Sequence, residues 1–175
     1  MDEFKHAALH KSMRISALRQ QFSRDSTLVM EQPRITLMKS TIKWVDNVQF
    51  VAETGSGHAV VIDGAPEYGG RNTGIRPMEL VLAGAASCTA FDVVLMLKKS
   101  RQNFTSLHVE ADAVRAETDP KVFTAIKLTF KLSGKGLDPA AVERAVKLSK
   151  EKYCSATAML GKTAEITTEI VISEE

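Results

Sequence analysis

The stretch PMELVLAGAASCTAFDVVLMLKK, residues 77–99, decides the fold of this chain. It is apolar nearly all round, and Pro77 suits the first turn of a helix because its missing N–H would have no intrahelical partner there. Lys98 and Lys99 stand where the negative end of the helix dipole would lie. The sequence therefore predicts one long helix that is buried. Its middle carries Cys88 among small and apolar residues, where a cysteine is either core filling or a reactive thiol.

Apolar residues alternate along the segment that precedes this helix, as they do in strands with one face toward a core. The alternation breaks at VDN, residues 45–47, and at TGSGH, residues 54–58, so the segment predicts a meander of three strands. A glycine-rich loop, GAPEYGGRNTGIRP at residues 64–77, joins the meander to the helix. The alternating residues are Ile35, Leu37, Ile42, Trp44, Val48, Phe50, Ala52, Val60 and Ile62.

The segments after the helix predict three further strands. Residues 105–134 read as a hairpin that turns at Thr118, Asp119 and Pro120. Its second half alternates apolar with polar side chains, so one face of the hairpin is exposed to water. Residues 164–173, AEITTEIVIS, predict a last alternating strand. The apolar positions of the hairpin's second half are Ile126, Leu128, Phe130 and Leu132.

Two shorter helices are predicted between the hairpin and the last strand. Asp138 is a typical N-cap, and Pro139 follows it at the first helical position. A break near Tyr153 separates this helix from a second one that Cys154 opens. The element order is then β-β-β-α-β-β-α-α-β, which predicts the α+β fold class.

Length and charge narrow the function classes. A chain of 175 residues with 44% hydrophobic residues fits one globular domain, which we place at residues 33–175 after an N-terminal extension, residues 1–32, with a helix-like apolar pattern. The 23 basic and 21 acidic residues are well mixed, so no nucleic-acid surface is expected. No apolar run approaches the roughly 20 residues that cross a bilayer, and no secretory signal is evident. These features predict a cytoplasmic protein without membrane contact.

The two cysteines do not have the spacing of a metal site, and no metal is expected. Cys88 lies about three turns beyond Pro77, too deep in its helix for the N-terminal dipole to lower its pKa. Cys154 opens a helix, where free N–H groups and Lys150 or Lys152 favour a thiolate. The four histidines, which are scattered along the chain, are His6, His10, His58 and His108.

Two segments resemble one known family. RPMELVLAGAASCTAFDVV, residues 76–94, resembles the central-helix motif of the OsmC/Ohr family (osmotically inducible protein C and organic hydroperoxide resistance proteins), and KYCSATAML, residues 152–160, resembles its second cysteine segment. The resemblance implies an intertwined homodimer in which antiparallel sheets wrap around a long buried central helix.

For function, the resemblance implies thiol-dependent reduction of organic hydroperoxides in oxidative stress defence. Cys88 is then the peroxidatic thiol, Cys154 the resolving thiol and Glu79 a third catalytic residue. The resemblance implies no bound cofactor and an external dithiol reductant of the lipoyl type.

One departure from the family keeps two other functions open. The family's peroxidases hold the thiolate with an arginine from the N-terminal strand region, but residues 35–70 contain none. Arg34, Arg71 and Arg76 remain as candidates, and the last two can equally be solvated loop charges. The alternatives are a non-catalytic dimeric protein that binds a small apolar ligand and a slow redox sensor.

Helix geometry constrains two acidic residues. Glu79 and Cys88 lie on opposite sides of one helix and about 14 Å apart along its axis. If Glu79 orients a cation near a thiol, that thiol belongs to the other subunit; otherwise Glu79 is a first-turn residue that favours the helix dipole. Asp92 follows Cys88 by one turn on the same face, as a hydrogen-bonding group or as an anion that raises the thiol pKa.

Overall fold

The strands and helices follow the predicted order. The computed structural model describes residues 38–174, and the predictions for residues 1–32, for Ile35 and for Leu37 lie outside that range. A π-helical turn, Ser149–Tyr153, stands at the predicted break. The elements are β1 (Ser40–Asp46), β2 (Gln49–Thr54), β3 (Ala59–Ile62), α1 (Pro77–Lys99), β4 (Phe104–Arg115), β5 (Phe123–Gly134), α2 (Pro139–Leu148), α3 (Ser155–Leu160) and β6 (Glu165–Ser173).

The first sheet is the predicted meander, with strand order β1-β2-β3 and antiparallel pairs. Trp44 of β1 pairs with Phe50 of β2, and Phe50 pairs in turn with Ile62 of β3. Several large apolar side chains of this sheet are exposed, among them Ile42 and Trp44 of β1. The first sheet therefore buries Ala52 and Ile62 but leaves more of its large apolar side chains exposed than the second sheet does.

The second sheet has the order β4-β5-β6. The β4–β5 hairpin is antiparallel as predicted, but β5 and β6 pair in parallel, which departs from the expected antiparallel arrangement. The reason is the connection, because α2 and α3 carry the chain back across the sheet before β6 begins. The predicted apolar stripe of β5 is buried at Ile126, Leu128, Phe130 and Leu132.

Helix α1 joins the core along one face. Its buried residues pack with the stripe of β5 and with α2 in one apolar cluster. The opposite face is exposed, with Phe91 at 66% and Leu95 at 52% exposure. The prediction that α1 is buried all round is therefore wrong within a single chain. The buried residues of α1 are Ala85, Ala86, Thr89, Val93 and Leu97.

The length and composition of α1 bear on the sequence prediction of no membrane contact, which stays a prediction. Among residues 38–174, α1 alone is long and apolar enough to cross a bilayer by those two criteria, with a mean hydropathy of 2.0 over its most apolar window. Glu79 and Asp92 interrupt the apolar residues of α1, so the sequence contains no uninterrupted apolar run of that length. Core helices meet the same criteria, and α1 contributes one face to the core. Length and composition are thus a weak indication of membrane insertion here.

Helix α2 begins as predicted. The Asp138 carboxylate accepts a hydrogen bond from the Ala140 N–H at 3.0 Å, and Pro139 occupies the first turn. The apolar side of α2 is buried, so the helix and the π-helical turn after it are held against α1.

Candidate functional site

The two cysteines, far apart in the sequence, meet where α1 faces the start of α3. Both are free thiols, and they are close enough that each affects the pKa of the other. Cys88 is half-buried, whereas Cys154 is only 2% exposed. The tertiary structure therefore gathers two thiols that the sequence places on separate helices.

Cys154 is the N-cap residue of α3, as predicted. Its sulfur accepts a hydrogen bond from the Thr157 N–H at 3.5 Å and another from the Thr89 hydroxyl at 3.4 Å. Burial pushes the pKa of Cys154 upward, but hydrogen bonds from Thr157, Thr89 and Cys88 outweigh burial and leave this pKa below its ordinary value. The sequence predicted that a helix-start N–H group would favour the thiolate, and the Thr157 N–H does so. The two lysines that were also predicted, Lys150 and Lys152, are not among the main contributions to this pKa.

Cys88 has the opposite electrostatic environment. Burial raises the pKa of its thiol, the Ala156 N–H at the start of α3 lowers it in part, and Cys154 and the Asp92 carboxylate raise it again. The main contributions include no basic side chain. The raised pKa of Cys88 and the lowered pKa of Cys154 make Cys154 the more acidic of the two thiols. The assignment of Cys88 as peroxidatic and Cys154 as resolving thiol stays a prediction.

Three polar residues around the thiols were not singled out in the sequence. The Ser149 hydroxyl, in the π-helical turn, donates to the Asp92 carboxylate at 2.9 Å and ties the turn to α1. Thr89 and Thr157 contact Cys154 directly. Thr89 and Ser149 are both 0% exposed. The sequence could have indicated Thr89, because it is a hydroxyl residue next to Cys88 in an otherwise apolar helix, and a buried hydroxyl needs a hydrogen-bond partner.

Asp92 has both of the properties that the sequence left open. It accepts the hydrogen bond from Ser149, and its charge contributes to the raised pKa of Cys88.

Glu79 stands in the first turn of α1. Its carboxylate accepts a hydrogen bond from the backbone N–H of Arg76, the N-cap residue, at 3.0 Å. This contact stabilises the start of the helix and matches the helix-dipole alternative. A catalytic role for Glu79 stays a prediction, and no contact within residues 38–174 joins its carboxylate to either thiol.

The two candidate arginines among the described residues, Arg71 and Arg76, have their side-chain contacts away from the thiols of their own chain. Arg71 pairs with Asp46 at the end of β1, and Arg76 donates to the Asn72 side chain at 3.1 Å. Neither is among the main contributions to the pKa of Cys88 or Cys154. Arg34 lies outside the described residues.

The loop that carries both described arginines is built around Asp63. The Asp63 carboxylate accepts hydrogen bonds from the N–H groups of Gly64, Arg71 and Thr73 and from the Thr73 hydroxyl. The Thr73 N–H contributes most to lowering the pKa of this carboxyl. A Cβ on Gly70 would lie 1.9 Å from the Gly64 carbonyl oxygen, so only glycine fits there. The loop geometry is therefore fixed by its own residues.

Two grooves flank the first half of α1. One, of about 510 Å³, lies against β4 and is lined by small and apolar residues that include Leu82, Ala86 and Val109. The other, of about 520 Å³, includes Arg76, Arg115 and Phe123. Neither is lined by a cysteine. Among residues 38–174, no three His, Cys, Asp or Glu side chains are grouped as metal ligands.

Comparison with known proteins places these features in one family. Residues 70–169 match the family model of the OsmC-like proteins. The protein YhfA of Escherichia coli strain K12 is 43% identical over 133 residues, which cover 74% of this chain and 94% of YhfA.

Two crystal structures share the fold. A hypothetical protein from Aquifex aeolicus VF5 is 28% identical, with a TM-score of 0.71 over 81% of this chain and 99% of that one. An organic hydroperoxide resistance protein OsmC from Legionella pneumophila is 16% identical, with a TM-score of 0.60 over 79% of this chain and 99% of that one. The second likeness concerns the fold alone.

Proposed function

Because this chain belongs to the OsmC-like protein family, we propose that it reduces organic hydroperoxides with the thiol pair Cys88 and Cys154. The single observation that carries the proposal is the meeting of the two thiols between α1 and α3. A cysteine pair that served only as core filling would have no need of hydrogen-bond donors directed at one sulfur. Those donors are characteristic of redox-active thiols.

The proposed reaction has three balanced steps. The Cys88 thiolate attacks one oxygen of the peroxide, the O–O bond breaks, and the sulfur becomes a sulfenic acid while an alcohol leaves. The Cys154 thiolate then attacks the Cys88 sulfur, water leaves after protonation, and a disulfide forms. An external dithiol of the lipoyl type returns two electrons and two protons to the pair.

Access determines which thiol meets the peroxide. Cys88 is half-buried and Cys154 is 2% exposed, so a peroxide reaches Cys88 first. Because the two thiols interact and Cys154 is the more acidic one, we propose that Cys88 passes its proton to Cys154 before attack. This transfer compensates for the lack of a basic side chain among the main contributions to the pKa of Cys88 within residues 38–174, at the cost of a small thiolate fraction.

A homodimer belongs to the proposal. Phe91 and Leu95 on α1 and Trp44 on β1 are large apolar side chains exposed to water in one chain. Such residues are typical of surfaces that are buried on association. A second copy of the chain offers the same apolar surface, so a two-fold symmetric contact buries both at once.

In this dimer, Glu79 of one subunit orients a cationic group near the thiol of the other subunit. Mixed dimers test the assignment. When one subunit carries Glu79→Ala and the other Cys88→Ser, the intact thiol keeps its cross-subunit glutamate, and we expect activity. When both changes share one subunit, the intact thiol of the other loses that glutamate, and we expect activity to fall. Equal activity per intact thiol in the two mixtures would show that Glu79 does not act across the interface.

The central experiment mixes the reduced protein with cumene hydroperoxide and a dithiol. We expect peroxide loss with turnover and a Cys88–Cys154 disulfide in the mass spectrum. Cys88→Ser should abolish peroxide loss, and Cys154→Ser should consume one equivalent of peroxide when the dithiol is left out. Ser87→Ala, next to Cys88 on the exposed side of α1, is the matched control and should retain activity. Absence of both turnover and disulfide would refute the proposal.

The raised pKa of Cys88 favours a second candidate, a redox sensor that reacts slowly and stoichiometrically. The rate of Cys88 alkylation against pH separates the two functions. A midpoint near the ordinary thiol pKa of about 8.5, together with oxidation without turnover, would support the sensor. A non-catalytic dimer that binds a small apolar ligand would show neither oxidation nor turnover.

For each of these functions we propose a cytoplasmic location, where dithiol reductants are available.

A further inference from the structure

The two sulfurs of the pair differ in access to an external thiol. Cys154 is enclosed by Thr89 of α1 on one side and the first turn of α3 on the other, and it is 2% exposed. Cys88 is half-buried. An external thiol that approaches a Cys88–Cys154 disulfide therefore reaches the Cys88 sulfur and not the other.

Thr89 gives the enclosed sulfur a donor that is already in place. The hydroxyl of Thr89 has two acceptors in reach, the Ala85 carbonyl oxygen at 3.0 Å and the Cys154 sulfur at 3.4 Å. One hydroxyl hydrogen serves only one acceptor at a time. A thiolate is the stronger acceptor and a disulfide sulfur the weaker, so the hydrogen turns to Cys154 when the disulfide opens and to Ala85 when it closes.

We infer that the reducing thiol attacks the Cys88 sulfur, that Cys154 is the sulfur released, and that Thr89 is the positioning residue that receives it. The inference rests on the proposed function only for the existence of the disulfide. In the step, the thiolate of an external dithiol bonds to the Cys88 sulfur, the S–S bond breaks, and its electron pair moves to Cys154. The second thiolate of the reductant then attacks its own sulfur in the mixed disulfide, closes a cyclic disulfide and releases Cys88, which takes a proton.

The charged and titratable groups around the two sulfurs favour attack on Cys88 and release of Cys154. From α1, Asp92 faces Cys88 and disfavours a second negative charge there, while Thr89 donates to Cys154. From α3, the Thr157 N–H also donates to Cys154. The lowered pKa of Cys154 makes it the better leaving group, and the raised pKa of Cys88 makes it the poorer one.

The first experiment locates the attacked sulfur. Diamide oxidises the full-length protein to the disulfide without any peroxide. A short exposure to 2-mercaptoethanol follows, the reaction is stopped with acid, and mass spectrometry of peptides locates the adduct. We expect the adduct on Cys88. An adduct on Cys154, a similar amount on both sulfurs, or no disulfide after diamide would overturn the inference.

The second experiment tests Thr89 with variants of graded chemistry. Thr89→Val removes the hydroxyl at nearly constant shape and should slow reduction of the disulfide about threefold or more. Thr89→Ser keeps the hydroxyl and should restore most of the rate. Thr129→Val, a buried threonine of β5, is the matched control and should leave the rate unchanged. A Thr89→Val rate equal to that of the parent protein would remove Thr89 from the inference.

A third readout excludes a merely structural role for Thr89. In a Cys88→Ser background, thiolate absorbance at 240 nm reports the titration of Cys154. Thr89→Val should move its midpoint to higher pH and Thr89→Ser should move it back, whereas a variant that only loosens packing would not. If cumene hydroperoxide is not consumed but the adduct still forms on Cys88, the peroxidase proposal fails and this inference stands.

Discussion

The two faces of α1 have similar composition and different surroundings. The inner face carries Thr89, Val93 and Leu97, each 0% exposed, and packs on β5 and α2. The outer face carries Val81, Phe91 and Leu95 in contact with water. Both faces are apolar, so composition alone does not distinguish them. The difference teaches that a single chain buries only one of the two apolar faces of this helix.

The largest expected effect is a difference in the free energy of unfolding between one substitution on the inner face and one on the outer face. Leu97→Ala removes a fully buried side chain and should lower the free energy of unfolding by about 2–5 kcal/mol. Leu95→Ala, two residues away and half-exposed, should cost under about 1 kcal/mol when the protein is dilute. Urea denaturation at several protein concentrations measures both. Equal losses at low concentration would contradict the distinction between the faces.

Phe91 tests what covers the outer face. Phe91→Asp places a charge on the exposed outer face of α1. We expect it to weaken self-association about thirtyfold or more while each chain stays folded. Phe91→Leu is the matched control and should associate nearly as the parent protein does. Sedimentation velocity measures the monomer fraction, and circular dichroism measures folding. A parent protein that is monomeric at micromolar concentration would refute the dimer.

Asp92 tests the electrostatics at the boundary between the faces. Burial is the main reason for the raised pKa of Cys88, and Asp92 adds to it. Asp92→Asn keeps an acceptor for Ser149 and removes the charge, so the pKa of Cys88 should fall and its alkylation at neutral pH should accelerate about threefold. Asp112→Asn, on the exposed face of β4, is the control and should have no effect. An unchanged rate in Asp92→Asn would mean that Asp92 does not act on Cys88.

The smallest expected effect concerns acid stability of the loop that leads into α1. The pKa of Asp63 is lowered in the folded state, so its contribution to stability is present above the unfolded pKa of about 4 and is lost as pH falls through the folded value. Asp63→Asn should lower Tm at neutral pH and flatten the fall of Tm below pH 4. Glu169 also has a lowered pKa, from its exposed ion pair with Lys127, and Glu169→Gln should change Tm very little. Equal effects of the two substitutions would show that the Asp63 loop is not specially stabilised.

The sequence by itself determined most of the fold. Hydrophobic periods, the N-cap Asp138 and the prolines at helix starts predicted the element order and the bounds of α1, because these signals act over one or two turns of chain. The OsmC/Ohr resemblance carried by the two cysteine segments is confirmed. The helix start at Cys154 and the influence of Asp92 on Cys88 were also foreseen, because both depend on local helix geometry.

The tertiary structure decided what depends on contacts between distant segments. It brought Cys88 to Cys154 and placed the Thr89 hydroxyl at the buried sulfur. It paired β5 and β6 in parallel and left one face of α1 exposed. None of these is readable from hydrophobic periods, because the direction of a hydrogen bond and the side on which a helix is covered are set by neighbours far away in the chain.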